Sequence, residues 1–121
     1  MSEHHELVAV LMGGWTAEAS VSRVSASFCG QAARNAGWDA VEIEIDRNIA
    51  ATLAELKPNR VFNALHGQVG EDGNIQGLLN IMNIPYTHSG LTASAIAMDK
   101  ILAKNMLAGC GILVPPTLPL V

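Results

Sequence analysis

Charge is scarce in this sequence. Of its 121 residues only 15% are Asp, Glu, Lys or Arg, against about a quarter in an ordinary soluble domain. The seven basic residues are outnumbered by eleven acidic ones, for a net charge of −4. They form no cluster, so the electrostatic footprint of a nucleic-acid binder is missing and nucleic acid is not an expected partner. Aromatic residues are 4% of the chain, which leaves the core to aliphatic side chains. No apolar run reaches the ~20 residues that span a bilayer, so no membrane partner is expected. The start, Met1-Ser2-Glu3-His4-His5-Glu6, lacks a positive segment followed by an apolar one. No secretory signal is expected, and a cytoplasmic location is. Only two cysteines occur, Cys29 and Cys110, with no C-x-x-C. They read as buried free thiols in a reducing compartment. The low charge also suggests that part of the surface is covered by another domain or a second copy.

Half of the residues are hydrophobic, enough for a real core in a chain of one-domain length. Their spacing alternates between two periods. Residues 7–12, LVAVLM, read as a buried strand stopped by Gly13-Gly14. Val21, Val24, Phe28 and Ala32 then fall at helical spacing, with Gly37 as the stop. Residues 39–46 alternate, with Val41, Ile43 and Ile45 against Glu42 and Glu44, as in a half-wet strand near a sheet edge. Ile49, Leu53 and Leu56 mark a short helix ended by Pro58. A second buried strand is expected over 61–65. Ile75, Leu78, Leu79 and Met82 form a helix face. Residues 84–87 are a short extended piece, followed by helices to about Met98 and over 100–109, the latter with Ala103, Met106, Leu107 and Cys110 on one stripe. Strands alternating with helices predict an α/β fold: a Rossmann-like parallel sheet with helices on both faces, in a βαβαβαβ unit over the first ~90 residues. The apolar, proline-rich end reads as the start of a further domain. The expected division is an α/β domain over 1–95 and the beginning of another over 96–121.

In open α/β sheets ligands bind beyond the carboxyl ends of the strands. Two long loops fit that position. The first is Gly13-Gly14-Trp15-Thr16-Ala17-Glu18-Ala19-Ser20, which is neither a G-x-G-x-x-G fingerprint nor a Walker A loop. Its Glu18 reads either as a surface acid at a helix N-terminus or as a partner for an ammonium group. The second is His66-Gly67-Gln68-Val69-Gly70-Glu71-Asp72-Gly73. Its His66 is either structural or a donor to an anion. Glu71 and Asp72 read as turn and capping residues, with Asp72 or Asn74 placed to cap the next helix. Lys100, after Met98-Asp99, is either solvated or a point charge for a phosphate. His88 carries no functional reading, nor do His4 and His5.

Together these pieces resemble the D-alanine–D-alanine ligases. The resemblance runs from Val8-Ala9-Val10-Leu11-Met12-Gly13-Gly14 through Thr16-Ala17-Glu18 and Val21-Ser22. It continues in Ala64-Leu65-His66-Gly67, Gly70-Glu71-Asp72-Gly73 and Ile75-Gln76-Gly77. Pro85-Tyr86-Thr87, Ser89-Gly90, Ala93-Ser94-Ala95 and Met98-Asp99-Lys100 follow, then Gly111-Ile112 and Pro115-Pro116. It implies an ATP-grasp enzyme of peptidoglycan synthesis that joins two D-alanines with ATP and Mg²⁺, through an acyl phosphate of the first. It implies that Glu18 holds the ammonium of the first D-alanine and His66 lies by its carboxylate. Val21 and Ser22 would line the first subsite, and Lys100 would approach the ATP phosphates. It also implies a homodimer formed through this domain.

The chain departs from that family in two ways. Where the family reads Ser-Ala-Glu-Arg-Glu-Val-Ser, this sequence has Thr16-Ala17-Glu18-Ala19-Ser20-Val21-Ser22, which loses an Arg and an acid. Gln68 stands where an Arg is common. The family also needs about another 180 residues, a length that the resemblance implies, for most of the ATP site and the magnesium ligands. The chain by itself is therefore expected to be inactive. The alternatives are a binding or dimerisation module that has lost catalysis and a related ATP-grasp ligase for another amino acid. A signalling receiver domain is excluded, because Gly13-Gly14 and His66-Gly67 stand where its acidic residues belong.

Overall fold

The structure, a computed structural model, describes residues 6–118. Its elements run β1 (Leu7–Gly13), α1 (Ala19–Asn35), β2 (Asp39–Ile45), α2 (Ile49–Leu56), β3 (Arg60–Asn63), α3 (Asn74–Ile81), α4 (Leu91–Met98) and α5 (Lys100–Gly109). The three strands pair in parallel in the order β2-β1-β3, with Leu11 opposite both Ile43 and Asn63. The expected parallel α/β sheet is present. β2 lies at its edge, as its alternating pattern implied.

The pleat sends alternate residues of β1 to opposite faces. Ala9 and Leu11 join Ile45, Leu53, Val61, Leu65, Ile75 and Leu79 in one core, beneath α2 and α3. Val8 and Val10 join Ala26 and Ala64 in a second, beneath α1. β1 is therefore apolar on both faces, as a central parallel strand must be. The residues of β2 that turn toward α1 are Glu42 and Glu44, and α1 meets them with Arg34 at 2.8 Å and Arg23 at 2.7 Å. Each guanidinium holds its glutamate below the usual carboxylate range, chiefly through the hydrogen bond between them.

Several expectations need correction. The stripe Val21, Val24, Phe28 is not the inner face of α1. These residues are exposed, Phe28 to 75%, and the face against the sheet is Ala19, Ser22, Ala26 and Gly30. Small residues let this helix approach closely; at Gly30 a methyl group would lie 2.0 Å from Oε1 of Glu42. The β3 strand stops at Asn63 rather than Leu65, because the Asn63 side-chain oxygen accepts from Leu65 N at 3.1 Å and turns the chain. Residues 84–87 add only one bridge, Val61 to Tyr86, to the free edge of β3. Pro85 has no N–H to extend the ladder. Cys29 is half-buried and Cys110 exposed, and both are free thiols, so Cys110 is not in a core. Met106 and Leu107 are also exposed, and α5 has no buried residue.

Helix ends follow local chemistry. α1 closes with Gly37 at φ +94°, its N–H on Arg34 O and that of Trp38 on Ala33 O, a Schellman arrangement. α2 closes on Lys57 in the left-handed region at φ 52°, a conformation that usually selects glycine. Asp99 separates α4 from α5 and caps the latter, accepting from Leu102 N at 2.9 Å. The division expected at 95/96 falls inside α4.

Candidate functional site

β1 has β2 on one side and β3 on the other, so the chain leaves β1 and β3 in different directions. The gap beyond their carboxyl ends is the topological switch point of this sheet, where a crevice opens. Both long loops border it: residues 13–18 leave β1 and residues 64–73 leave β3.

The first loop turns sharply on two glycines, Gly13 at φ +77° and Gly14 at φ +93°. A side chain at Gly13 would also collide with Glu44, whose Oε1 lies 1.8 Å from the methyl position. Glu44 accepts from Gly14 N at 3.3 Å while it is paired to Arg23. The turn delivers Glu18 to the N-cap position of α1. Its carboxylate makes no capping hydrogen bond to its own helix. It lies instead over Gly67 of the second loop, where a methyl group would meet Oε2 at 2.1 Å and Thr16 Oγ1 at 3.9 Å. Gly67, at φ +72°, is thus the point at which the two loops close on each other.

Ser22 fixes their spacing from inside. It is fully buried. Its hydroxyl accepts from Gly13 N at 2.9 Å and donates to Ala64 O at 2.8 Å, tying the exit of β1 to the exit of β3. Ser22 therefore shapes the crevice without facing it. One helical turn on, Ser25 Oγ lies 3.1 Å from Nε2 of His66.

The second loop braces itself. Glu71 Oε2 accepts from Gly67 N at 2.6 Å, and Asp72 accepts from Val69 N at 3.0 Å and Asn74 N at 3.1 Å. Burial alone would raise the Asp72 pKa, but these amides hold it below the usual range. Gly70 O receives both Asn63 Nδ2 at 2.8 Å and Gln76 Nε2 at 2.9 Å. A methyl at Gly70 would strike Leu65 Cβ at 2.2 Å.

A cavity of about 470 Å³ opens between this loop and α4. His66, Glu71, Gln76, His88 and Ser94 are among the residues that border it. Thr16 Oγ1 and Gln76 Oε1 are the buried side-chain oxygens without a hydrogen-bond partner among the described residues. Both belong to the crevice region, one in the first loop and one beneath the second.

The structure thus brings Glu18, Ser22 and His66 to the loops beyond β1 and β3, and of the three only His66 is among the residues that line the cavity. Val21 stands beside them on the exposed side of α1, 58% accessible. Lys100, exposed at the start of α5, does not border the cavity. The sequence reading missed Ser25 and His88. Ser25 was detectable as the residue three beyond Ser22 on the same helix face. His88 left no such signal: it reaches the cavity from a left-handed backbone position, φ 75°, with its ring edge-on to Phe62 at 5.6 Å. Among the described residues, no group of three or more His, Cys, Asp or Glu could hold a metal ion. Glu71 and Asp72 already serve backbone amides. No helix of the described residues is long and apolar enough to cross a membrane.

Comparison with known proteins places this architecture. Residues 50–89 match the family model described as the D-ala D-ala ligase N-terminus. D-alanine–D-alanine ligase B of Brucella suis is 54% identical over 110 residues, which cover 91% of this chain and 36% of that protein. The D-alanine–D-alanine ligase of Xanthobacter autotrophicus is 51% identical over 112 residues, 93% of this chain and 36% of that protein. The crystal structure of the Bacillus anthracis ligase superposes with a TM-score of 0.82 at 31% identity, over 92% of this chain and 36% of that one. Its complex with ATP gives 0.79 at 31% identity, over 92% and 38%. The chain is similar to the N-terminal part of these ligases and spans little more than a third of their length.

Proposed function

We propose that this chain is the N-terminal, first-substrate side of a D-alanine–D-alanine ligase, an ATP-dependent enzyme that joins two D-alanines for peptidoglycan synthesis. The observation that carries the reading is the placement of Glu18. Its carboxylate is not spent on its own helix and is held over Gly67 at the switch point. A carboxylate free of a cap and brought beside His66's loop suits an amino acid, whose ammonium needs an acid and whose carboxylate needs a donor.

In this reading Glu18 takes the ammonium of the first D-alanine and His66 lies at its carboxylate. Val21 borders the methyl side, and Ser22 holds the loops at the spacing that this zwitterion requires. Lys100 turns toward the nucleotide phosphates in the longer protein. The residues described here do not make a magnesium site. The Mg²⁺ ligands and most of the ATP site belong to the remaining portion of such a ligase. Residues 96–121 begin a second domain, a reading supported by the absence of buried residues in α5. Pairing of two copies through this domain, in the cytoplasm, completes the proposal; exposed Val24 and Phe28 supply apolar surface for it.

The test is ADP release with ATP, Mg²⁺ and D-alanine, using the longest product of this gene. Release with D-alanine and not L-alanine, from the long form and not from the 121-residue chain, supports the proposal. Absence of release from any form overturns it and leaves a binding or dimerisation module.

A further inference from the structure

We propose that Arg47 is a positioning residue of the first loop. Its guanidinium lies on the indole of Trp15 and so holds residues 14–18 in the turn that brings Glu18 over Gly67. The inference rests on the reading of Glu18 as the partner of a substrate ammonium.

Only residues 14–18 separate β1 from α1. Two backbone ties hold them: Gly14 N donates to Glu44 at 3.3 Å, and Ala19 N donates to Thr16 O at 3.1 Å. Trp15 stands between those ties. It is 46% exposed, and its indole N–H has no hydrogen-bond partner among the described residues. Its contact is with Arg47, whose Cζ stands 4.6 Å from the centroid of the ring.

Arg47 is free for that contact. Arg23, Arg34 and Arg60 each face a glutamate at 2.7 or 2.8 Å. Arg47 is the remaining arginine of the sequence and has no such partner among the described residues. The turn after β2 fixes its backbone, because Asn48 N donates to Asp46 Oδ1 at 2.8 Å and Ile49 N to Asp46 O at 3.1 Å. The ring quadrupole attracts a cation over its face, and a planar guanidinium stacks there where an ammonium only approaches. At an exposed site this attraction shifts the balance between a docked and a free loop by about two- to fivefold.

The loop is thereby held on both flanks. On the β2 side Gly14 meets Glu44 and Trp15 meets Arg47; on the β3 side Glu18 lies over Gly67. Two residues join Trp15 to Glu18, so releasing the indole also loosens the carboxylate.

The experiment is NMR spectroscopy of the ¹³C,¹⁵N-labelled 121-residue chain without ligand. In the wild-type chain the indole ring current is expected to shift the Arg47 Hδ protons upfield of their random-coil position. Trp15→Leu is expected to return them to it. In Arg47→Ala the heteronuclear NOE is expected to fall at the Trp15 indole N–H and at amides 15–18, with the urea midpoint little changed. Arg47→Lys, which keeps the charge without the planar face, is expected to restore part of the loss. A Trp38→Phe variant assigns the two indole signals. Random-coil Hδ shifts in the wild-type chain would overturn the proposal, and so would unchanged NOEs in Arg47→Ala. In the longer protein, Arg47→Ala is expected to raise the D-alanine KM about two- to fivefold at unchanged kcat, and to add nothing in a Glu18→Gln background. A loss of kcat alone, or an equal rise in KM without the Glu18 carboxylate, would also overturn it. An absence of ligase activity in the longer protein would remove the reading of Glu18, and the NMR results would still decide whether Arg47 holds the loop.

Discussion

Replacing Ser22 with alanine removes one oxygen atom and disconnects two strand exits. The hydroxyl is fully buried and serves Gly13 N and Ala64 O at 2.9 and 2.8 Å. Ser22→Ala leaves a backbone N–H and a backbone C=O without that partner in a site closed to water. A net hydrogen bond contributes about 1 kcal/mol, and a stranded buried group costs about 1–3 kcal/mol. The Ala64 carbonyl has a second lone pair, so the lower part of the summed range applies. The expected loss is about 2–4 kcal/mol. At about 4 °C per kcal/mol for a domain of this size, the midpoint falls by roughly 8–16 °C. The assay is urea and thermal unfolding of the two chains followed by circular dichroism. Ser27→Ala, at an exposed position of the same helix, serves as the control and is expected within about 0.5 kcal/mol of wild type. If Ser22→Ala behaves like the control, the hydroxyl does not hold the loops together and the account of the crevice is mistaken.

Other consequences are equally specific. Gly67→Ala places a methyl 2.1 Å from Glu18 Oε2 in a left-handed backbone, so it is expected to cost about 1–3 kcal/mol and to displace Glu18; unfolding and ligand titration read the two effects separately. Leu53→Ala empties a fully buried position in the core under α2 and is expected to cost about 2–5 kcal/mol by denaturant unfolding. Lys57→Gly relieves the left-handed end of α2 and is expected to stabilise by up to about 1 kcal/mol, read as a higher urea midpoint at unchanged slope. Glu42, Glu44 and Asp72 all have folded pKa values below their unfolded ones. Their contribution is therefore complete above about pH 5 and is lost as the pH falls through about 4 and below. An Asp72→Asn chain is expected to show a shallower acid limb in unfolding free energy against pH. An identical limb would assign the acid sensitivity to other groups.

Much of the architecture was legible in the sequence because two local signals were strong. The apolar run of β1 could only be a central strand, and the glycines at 13, 14, 37, 67 and 73 mark turns whose φ values are positive. The inward face of α1 was not legible. Hydrophobic spacing pointed to Val21, Val24 and Phe28, yet close approach to the sheet required Ala26 and Gly30, and size prevailed over hydropathy. The end of β3 was hidden for a related reason: Asn63 looked like a strand residue, and its side chain replaces the next ladder bond. At the site, Glu18 and His66 stood out by residue type and by their place after strands. Ser25 and His88 did not, because their relevance arises from contacts across 41 residues and across the Phe62 ring.

The central claim is that Glu18, held over Gly67 at the switch point, receives the ammonium of the first D-alanine. Steady-state ADP release by the longer protein, measured against D-alanine concentration for the wild-type and Glu18→Gln forms, tests it most directly. Removing the charge while keeping the shape is expected to weaken substrate capture at least tenfold, with thermal stability unchanged, since the carboxylate makes no capping bond to α1; tenfold corresponds to about 1.4 kcal/mol. An unaltered D-alanine dependence in the folded Glu18→Gln protein would contradict the account.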